Sequence, residues 1–252
     1  MNIGEFYEHD QRLGSVTTFN GVDIYAKYNA DVYSFTPSAG SIDGTFQRKV
    51  SKSTFDNFYF DFANGTLQIN AYVGGANKLD AIMNVNGLIA AASETTIYYA
   101  EDIGFYFDAI LTSYSVTETG IEWFFDVSLT FDAIRHMPIV SETFAGSSFK
   151  FENLGSIPSG IKFTIVPSAT LSNPTITLND NTPFEQKITF TRLTASYTFV
   201  IDGIDGHVTQ NGINSILMTD LVKFPKAIPG WNTVTASFTA DWTVEFYPTF
   251  EI

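Results

Sequence analysis

Between Val234 and Phe246 the residues Val234, Ala236, Phe238, Ala240, Trp242, Val244 and Phe246 take every even position. Thr235, Ser237, Thr239, Asp241, Thr243 and Glu245 take the odd ones. A repeat of two belongs to a strand with one buried and one wet face; a helix would scatter the same residues around its whole circumference. The run therefore commits this end of the chain to a β core. Pro229 and Gly230 stand just before it and suit the second and third positions of a type II turn, since proline presets φ and glycine accepts the positive φ that follows. One strand of this length would exceed the usual ~3–10 residues, which predicts a hairpin near residues 239–241. A three-residue loop there sets Phe238 opposite Trp242 and keeps the alternation in phase.

The same period recurs upstream. Ile121, Trp123, Phe125, Val127, Leu129 and Phe131 alternate with polar residues that include Asp126 and Asp132, and Ile103, Phe105, Phe107, Ala109 and Leu111 precede them. With the polar, glycine-ended loop at 117–120, these two runs predict a long hairpin. A second hairpin is predicted about Asn64-Gly65, with Phe58, Phe60 and Phe62 before it and Leu67, Ile69 and Ala71 after it, because both turn residues tolerate positive φ. One helix is predicted over residues 78–91, where Leu79, Ile82, Met83 and Ile89 keep near-helical spacing and Asn77 can cap it; Gly87 weakens its second half. A strand follows over residues 95–100. The first half thus reads as a mainly β sheet-and-helix unit.

A boundary is expected near residues 137–148, where the alternation stops, Pro138 appears and residues 142–148 are small and polar, as a linker is. Gly146-Ser147-Ser148 belongs to that linker. Short apolar runs then recur at 150–154, 160–166, 174–178, 185–191 and 197–202, the spacing of an all-β sandwich. The domains are accordingly 1–137 and 138–252.

Charge and composition narrow the function classes. Lys and Arg number 13 against 27 Asp and Glu, a balance opposed to nucleic-acid binding, which needs cations on the phosphates. Cysteine is absent, which removes disulfides, thiolate metal sites and thiol catalysis. Residues 1–10 lack the basic start and apolar core of a signal peptide, and no apolar run nears the ~18 residues of a membrane span, so a soluble acidic protein is expected. Residues 1–137 hold 7 basic against 17 acidic residues, and none of the basic ones lies between Lys78 and Arg135. Glu94, Glu101, Asp102, Asp108 and Glu118 fall in that stretch and form either a solvated polar face or a functional acidic surface. Arg48, Lys49 and Lys52 make the one dense basic cluster, a strand-edge decoration or a contact for an acidic partner.

Catalytic patterns are missing. His9, His136 and His207 fit no metal-ligand spacing, and neither a Gly-x-Ser-x-Gly elbow nor a phosphate-cradling glycine loop occurs. Asp202, Asp205 and His207 lie among glycines and could bind a hard cation, but turn formation accounts for the same residues. Trp242 and Glu245 have the Trp-x-x-Glu spacing of a galectin sugar site, yet the alternation sends them to opposite faces, so Trp242 reads as core. Asn64-Gly65-Thr66 fits a glycosylation sequon and is read as hairpin. No catalytic residue, metal site or cofactor is assigned, and a β-sandwich glycosidase keeps only a minor place.

Phe199, Val200, Ile201 and Asp202, then Phe224, Pro225, Pro229, Gly230, Trp231 and Asn232, and the closing Phe246, Tyr247 and Pro248, resemble the C-terminal part of distal tail proteins of long, non-contractile-tailed bacteriophages. The first half is similar to that family in order: Phe19, Asn20, Gly21, Val22 and Asp23, a helix after Ala76, and a hairpin running to Phe131 and Arg135. The resemblance implies a non-enzymatic structural adaptor at the tail tip of the virion. It implies an N-terminal sandwich or split-barrel-like β domain with one helix, assembled into a hexameric ring, and a galectin-like β-sandwich at the periphery. Such a ring joins the tail tube and tape-measure protein to the tail hub or receptor-binding apparatus. Acidic residues of the first domain would then line a lumen and keep DNA from sticking. A carbohydrate-binding module that uses exposed aromatics of the second domain on host saccharide is the alternative.

Overall fold

The computed structural model of the chain describes residues 17–38, 65–99 and 105–250. They fall into two units, one ending at His136 and the other running over Met137–Phe250.

The first unit comprises β1 (Thr17–Phe19), β2 (Val22–Asp23), α1 (Ile24–Tyr28), β3 (Ala30–Ser38), β4 (Gly65–Gly74), α2 (Lys78–Ala91), β5 (Glu94–Tyr99), β6 (Tyr106–Glu118) and β7 (Phe124–His136). Its strands form one curled antiparallel sheet in the order β2-β1-β5-β6-β7-β4-β3. Asn20 (φ 50°) and Gly21 (φ 76°) make the two-residue turn that sets Phe19 opposite Val22. Leu67, Ile69, Ala71 and Val73 of β4 and Val127, Leu129 and Phe131 of β7 line one face, and Ala81, Val85 and Leu88 of α2 with Ile24 of α1 pack into the same core. A sandwich or split-barrel-like domain was expected here; among the described residues the strands form one curled, half-barrel sheet, with the helices against its apolar face.

Among the described residues of this unit two α-helices stand where one was expected. α2 takes the predicted bounds, with Asn77 Oδ1 accepting from the Asp80 amide at 3.0 Å. α1 is too short for any periodicity and is announced only by Asp23, whose carboxylate accepts from the amides of Tyr25 and Ala26. The two meet at Gly87, where a Cβ would come within 2.8 Å of the Tyr28 ring. The glycine that weakens α2 is what gives α1 room.

β6 and β7 form the predicted hairpin, in register from Tyr106 opposite His136 to Glu118 opposite Phe125. The loop lies later than expected, so Ile121 and Trp123 leave the strand; both are exposed and Trp123 has φ 67°. Ile103 and the Phe58–Asn64 arm of the hairpin expected about Asn64-Gly65 lie outside the described residues. From Gly65 onward that region is β4, whose edges pair with β3 and β7.

The second unit comprises β8 (Val140–Asn153), β9 (Ser159–Pro167), β10 (Leu171–Ser172), β11 (Thr175–Leu178), β12 (Gln186–Thr189), β13 (Arg192–Leu193), β14 (Phe199–Asp202), β15 (His207–Gln210), β16 (Ile213–Asn214), β17 (Lys226–Ala227) and β18 (Gly230–Phe246). The order is β12-β11-β18-β9-β14-β15-β16, with β8 also on β18, β17 also on β9, and β10 paired to β13. The hairpin expected at 239–241 does not form. β18 is one strand of 17 residues, along which β8 lies on one side while β11 and then β9 lie on the other. Its pairing with β8 shifts between Thr235 and Ala240, beside Gly146 with φ 111°. A change of partner, rather than a reversal, accommodates the excess length. The expected linker at 142–148 is likewise strand, the middle of β8. Trp242 is 2% exposed among Phe149, Phe163 and Phe238, a core residue as its phase required.

Candidate functional site

The family-like turn residues Pro225, Pro229, Gly230, Trp231 and Asn232 lie just before β18 and at its start. Gly230 has φ 80°, as the turn before β18 requires. Asn232 is fully buried two residues later: its Oδ1 accepts from the Ile228 amide at 2.9 Å and from Asn179 Nδ2 at 3.0 Å, and its Nδ2 donates to the carbonyls of Ile228 and Gly230. Asn179 Oδ1 in turn accepts from the Thr233 amide. Pro225 presents its carbonyl to the Ile161 amide at 3.2 Å, and a Cβ on Gly203 would come within 2.6 Å of that same oxygen. Pro229 opens the turn, while Trp231 stands 65% exposed outside the network. Pro225, Gly230 and Asn232 hold the backbone, whereas Pro229 and Trp231 are exposed, Trp231 with the large side chain.

The acidic stretch divides by the parity of its strands. Glu94 is opposite Ile110, Thr96 is opposite Asp108, and Ile110 is opposite Asp132, so Glu94, Asp108, Asp126 and Asp132 share the sheet face turned away from the helices. Thr66, Gln68, Asn70, Ser128 and Thr130 fill that face between them. Glu118 is in row with buried Phe125 on the helix side, where it pairs with Lys78 at 2.9 Å. Glu101 and Asp102, and the basic Arg48, Lys49 and Lys52, lie outside the described residues. Asp126 and Asp132 were legible as the polar half of the 121–132 alternation, but a window bounded by sequence does not show which carboxylates share a face.

Two members of that face are held in place. Asp108 lies 3.2 Å from His136 Nε2 and accepts from Thr96 Oγ1 at 2.8 Å; the hydrogen bond with His136 holds its carboxyl below the usual carboxylate range. Tyr33 donates to Asp126 at 2.9 Å, and burial, then that bond, pushes its hydroxyl up to about 12.

In the second unit Asp202, Asp205 and His207 bring potential metal-ligand atoms within 4.8 Å of one another. Asp202 Oδ1 accepts from the amides of Ile204 and Asp205, both at 2.9 Å, so its first task is to close the turn. A shallow groove of about 400 Å³ crosses β8, β18 and β9, with Thr143, Thr164, Thr243 and Asp241 on its wall. Trp242 forms its floor with the indole edge committed, Nε1 donating to the Gly146 carbonyl at 2.9 Å.

No protein-family model matches the chain, and no curated protein does. Among solved structures, the chain matches the Dit protein of phage SPP1 with a TM-score of 0.68 and 14% identity, over 94% of this chain and 100% of that one. The fold is Dit-like. The SPP1 protein is a paradigm of the hub adsorption apparatus in phages that infect Gram-positive bacteria. A chain of the phage P2 baseplate, in its activated conformation with calcium, also matches, with a TM-score of 0.44 and 8% identity over 93% of this chain and 91% of that one.

Proposed function

We propose that this chain is a structural adaptor of a phage tail tip, a virion protein that forms a hexameric ring between the tail tube with its tape-measure protein and the tail hub or receptor-binding apparatus. One observation carries the reading: the likeness to SPP1 Dit spans both units in one order, over 94% of this chain and all of that one. In this reading the second unit is the peripheral, galectin-like sandwich. The knot at Asn232 then serves the fold, and exposed Trp231 stands ready for a neighbouring protein.

The face carrying Glu94, Asp108, Asp126 and Asp132 is the candidate wall of the ring's channel, since carboxylates repel phosphates and let DNA slide. Glu118, tied to Lys78 on the helix side, is not part of it. Against the saccharide alternative, both aromatic rings of the groove are engaged in the core: Trp242 is buried and hydrogen-bonded, and half-buried Phe144 stacks on Phe149 at 4.3 Å.

Mass measurement of the purified chain tests the proposal. Six copies of 27.9 kDa, or two such rings stacked, are expected. A monomer that binds arrayed glycans would replace the adaptor with the lectin.

A further inference from the structure

In the second unit β8 lies along one side of β18, and its own far side has no ladder partner among the described residues. The two ends of that sheet are short, as edges that resist pairing normally are: β12 has four residues, with Gln186 tied to the Lys226 backbone, and β16 has two. β8 has fourteen. Over residues 140–146 it reads Val-Ser-Glu-Thr-Phe-Ala-Gly, without a lysine or a proline, and this stretch ends at the irregularity beside Gly146. Alternate amides and carbonyls along it point away from β18, where another strand can bond to them.

Val140, Glu142 and Phe144 stand opposite buried Phe246, Val244 and Trp242, so they face the core, yet each is only half-buried. Beyond the irregularity the same face is closed, with Phe149, Phe151 and Asn153 buried. The core is thus covered along one half of β8 and open along the other. The open half has a chemistry of its own, apolar, acidic and apolar at every second residue. Glu142 is its one charge, and it makes no ion pair or hydrogen bond among the described residues, although it is partly withdrawn from water between two apolar side chains. A strand laid along this edge sets its own alternate residues beside these three. The fit is an apolar residue beside Val140, a lysine or arginine beside Glu142 and an apolar residue beside Phe144. The intervening residues lie beside exposed Ser141, Thr143 and Ala145, which ask only for polarity.

We propose that residues 140–146 of β8 are the docking edge for an extended segment of a partner protein, of the pattern apolar-x-Lys/Arg-x-apolar, added as a further strand. An acidic segment meets Glu142 as a like charge, and a wholly apolar one buries that carboxylate unpaired; a cation at the middle position removes both costs. Backbone hydrogen bonds supply the affinity and the alternate side chains the selection. The edge belongs to the second unit, so the inference goes beyond the ring reading and does not depend on it.

The test uses the full chain and two fluorescently labelled peptides, Thr-Val-Thr-Lys-Thr-Val-Thr and the same sequence with Glu in place of Lys. Fluorescence anisotropy gives their affinities, and hydrogen exchange read by mass spectrometry locates them. The Lys peptide is expected to bind about tenfold more tightly than the Glu peptide and to slow exchange in β8 around residues 140–146. Glu142→Gln, nearly the same shape, should lose the preference, and Glu142→Lys should reverse it, each with unchanged circular dichroism. Equal affinity for the two peptides, binding of neither, or slowed exchange elsewhere would overturn the proposal. So would amides of 140–146 that all exchange slowly before any peptide is added, since another copy of the chain would then already hold the edge. The ring reading is decided by mass, and none of the peptide results bears on it.

Discussion

Asn232 has no charge and touches no ligand, yet it satisfies more backbone and side-chain partners than any other side chain of the closing turn. Removing it strands the Ile228 amide and Asn179 in a dry site, so Asn232→Ala is expected to cost roughly 2–4 kcal/mol in urea unfolding, while Trp231→Ala next door stays within about 0.5 kcal/mol. Asp108 gives a prediction of opposite visibility, since it is exposed and its effect is on titration. A carboxyl held low by a partner stabilises the fold above its unfolded pKa and loses that contribution as pH falls through its folded one. Its NMR titration midpoint should lie below the ordinary carboxylate range. His136→Phe keeps a ring against Tyr106 and removes the bond, so the midpoint should move up; an unchanged midpoint would mean that Thr96 alone sets it.

At the scale of elements, the sequence was most legible where one strand keeps one environment. β7 and β9 show their faces directly, and α2 shows its cap at Asn77 and its first turn at Asp80. It was least legible where an element changes partner. β18 passes from β11 to β9 without turning, and local alternation is identical for a long strand and for a hairpin whose loop preserves phase. The middle of β8 is small and polar because its side chains line an open face, and the same composition reads as a linker. α1 failed for a different reason, five residues being too few for a period. Its packing nevertheless left a trace in Gly87, and that trace can be tested. Gly→Ala inside a helix normally gains about 1 kcal/mol. Here Tyr28 stands in the way, so Gly87→Ala should be neutral or destabilising in the native background and recover a gain of about 1 kcal/mol in Tyr28→Ala. Thermal unfolding of the four proteins decides it; additive effects would remove the contact from the explanation.

On the scale of the whole molecule, the site resisted a sequence reading because it belongs to edges and faces. Nothing in the string of Val140 to Gly146 distinguishes an edge from an interior strand, and Glu118 separates from Asp108 only once the irregularity between Leu111 and Ser113 has shifted the phase of β6. The two units have separate apolar cores, and the second is contiguous in sequence. A fragment of residues 137–250 is accordingly expected to unfold in a single cooperative transition, as followed by tryptophan fluorescence, with Trp242 reporting from the core. In that unit the first strand, β8, and the long strand near its end, β18, are neighbours. Val140 stands opposite Phe246, and the Met137 amide donates to the Pro248 carbonyl at 2.9 Å. Tension applied to the chain where it enters and leaves this unit would therefore load the hydrogen bonds between β8 and β18 one after another, as a zip is opened, rather than all together in shear. The strand that ties this unit together also makes it easy to peel, and a partner that must hold the unit under load would have to grip its faces, not pull it by its ends.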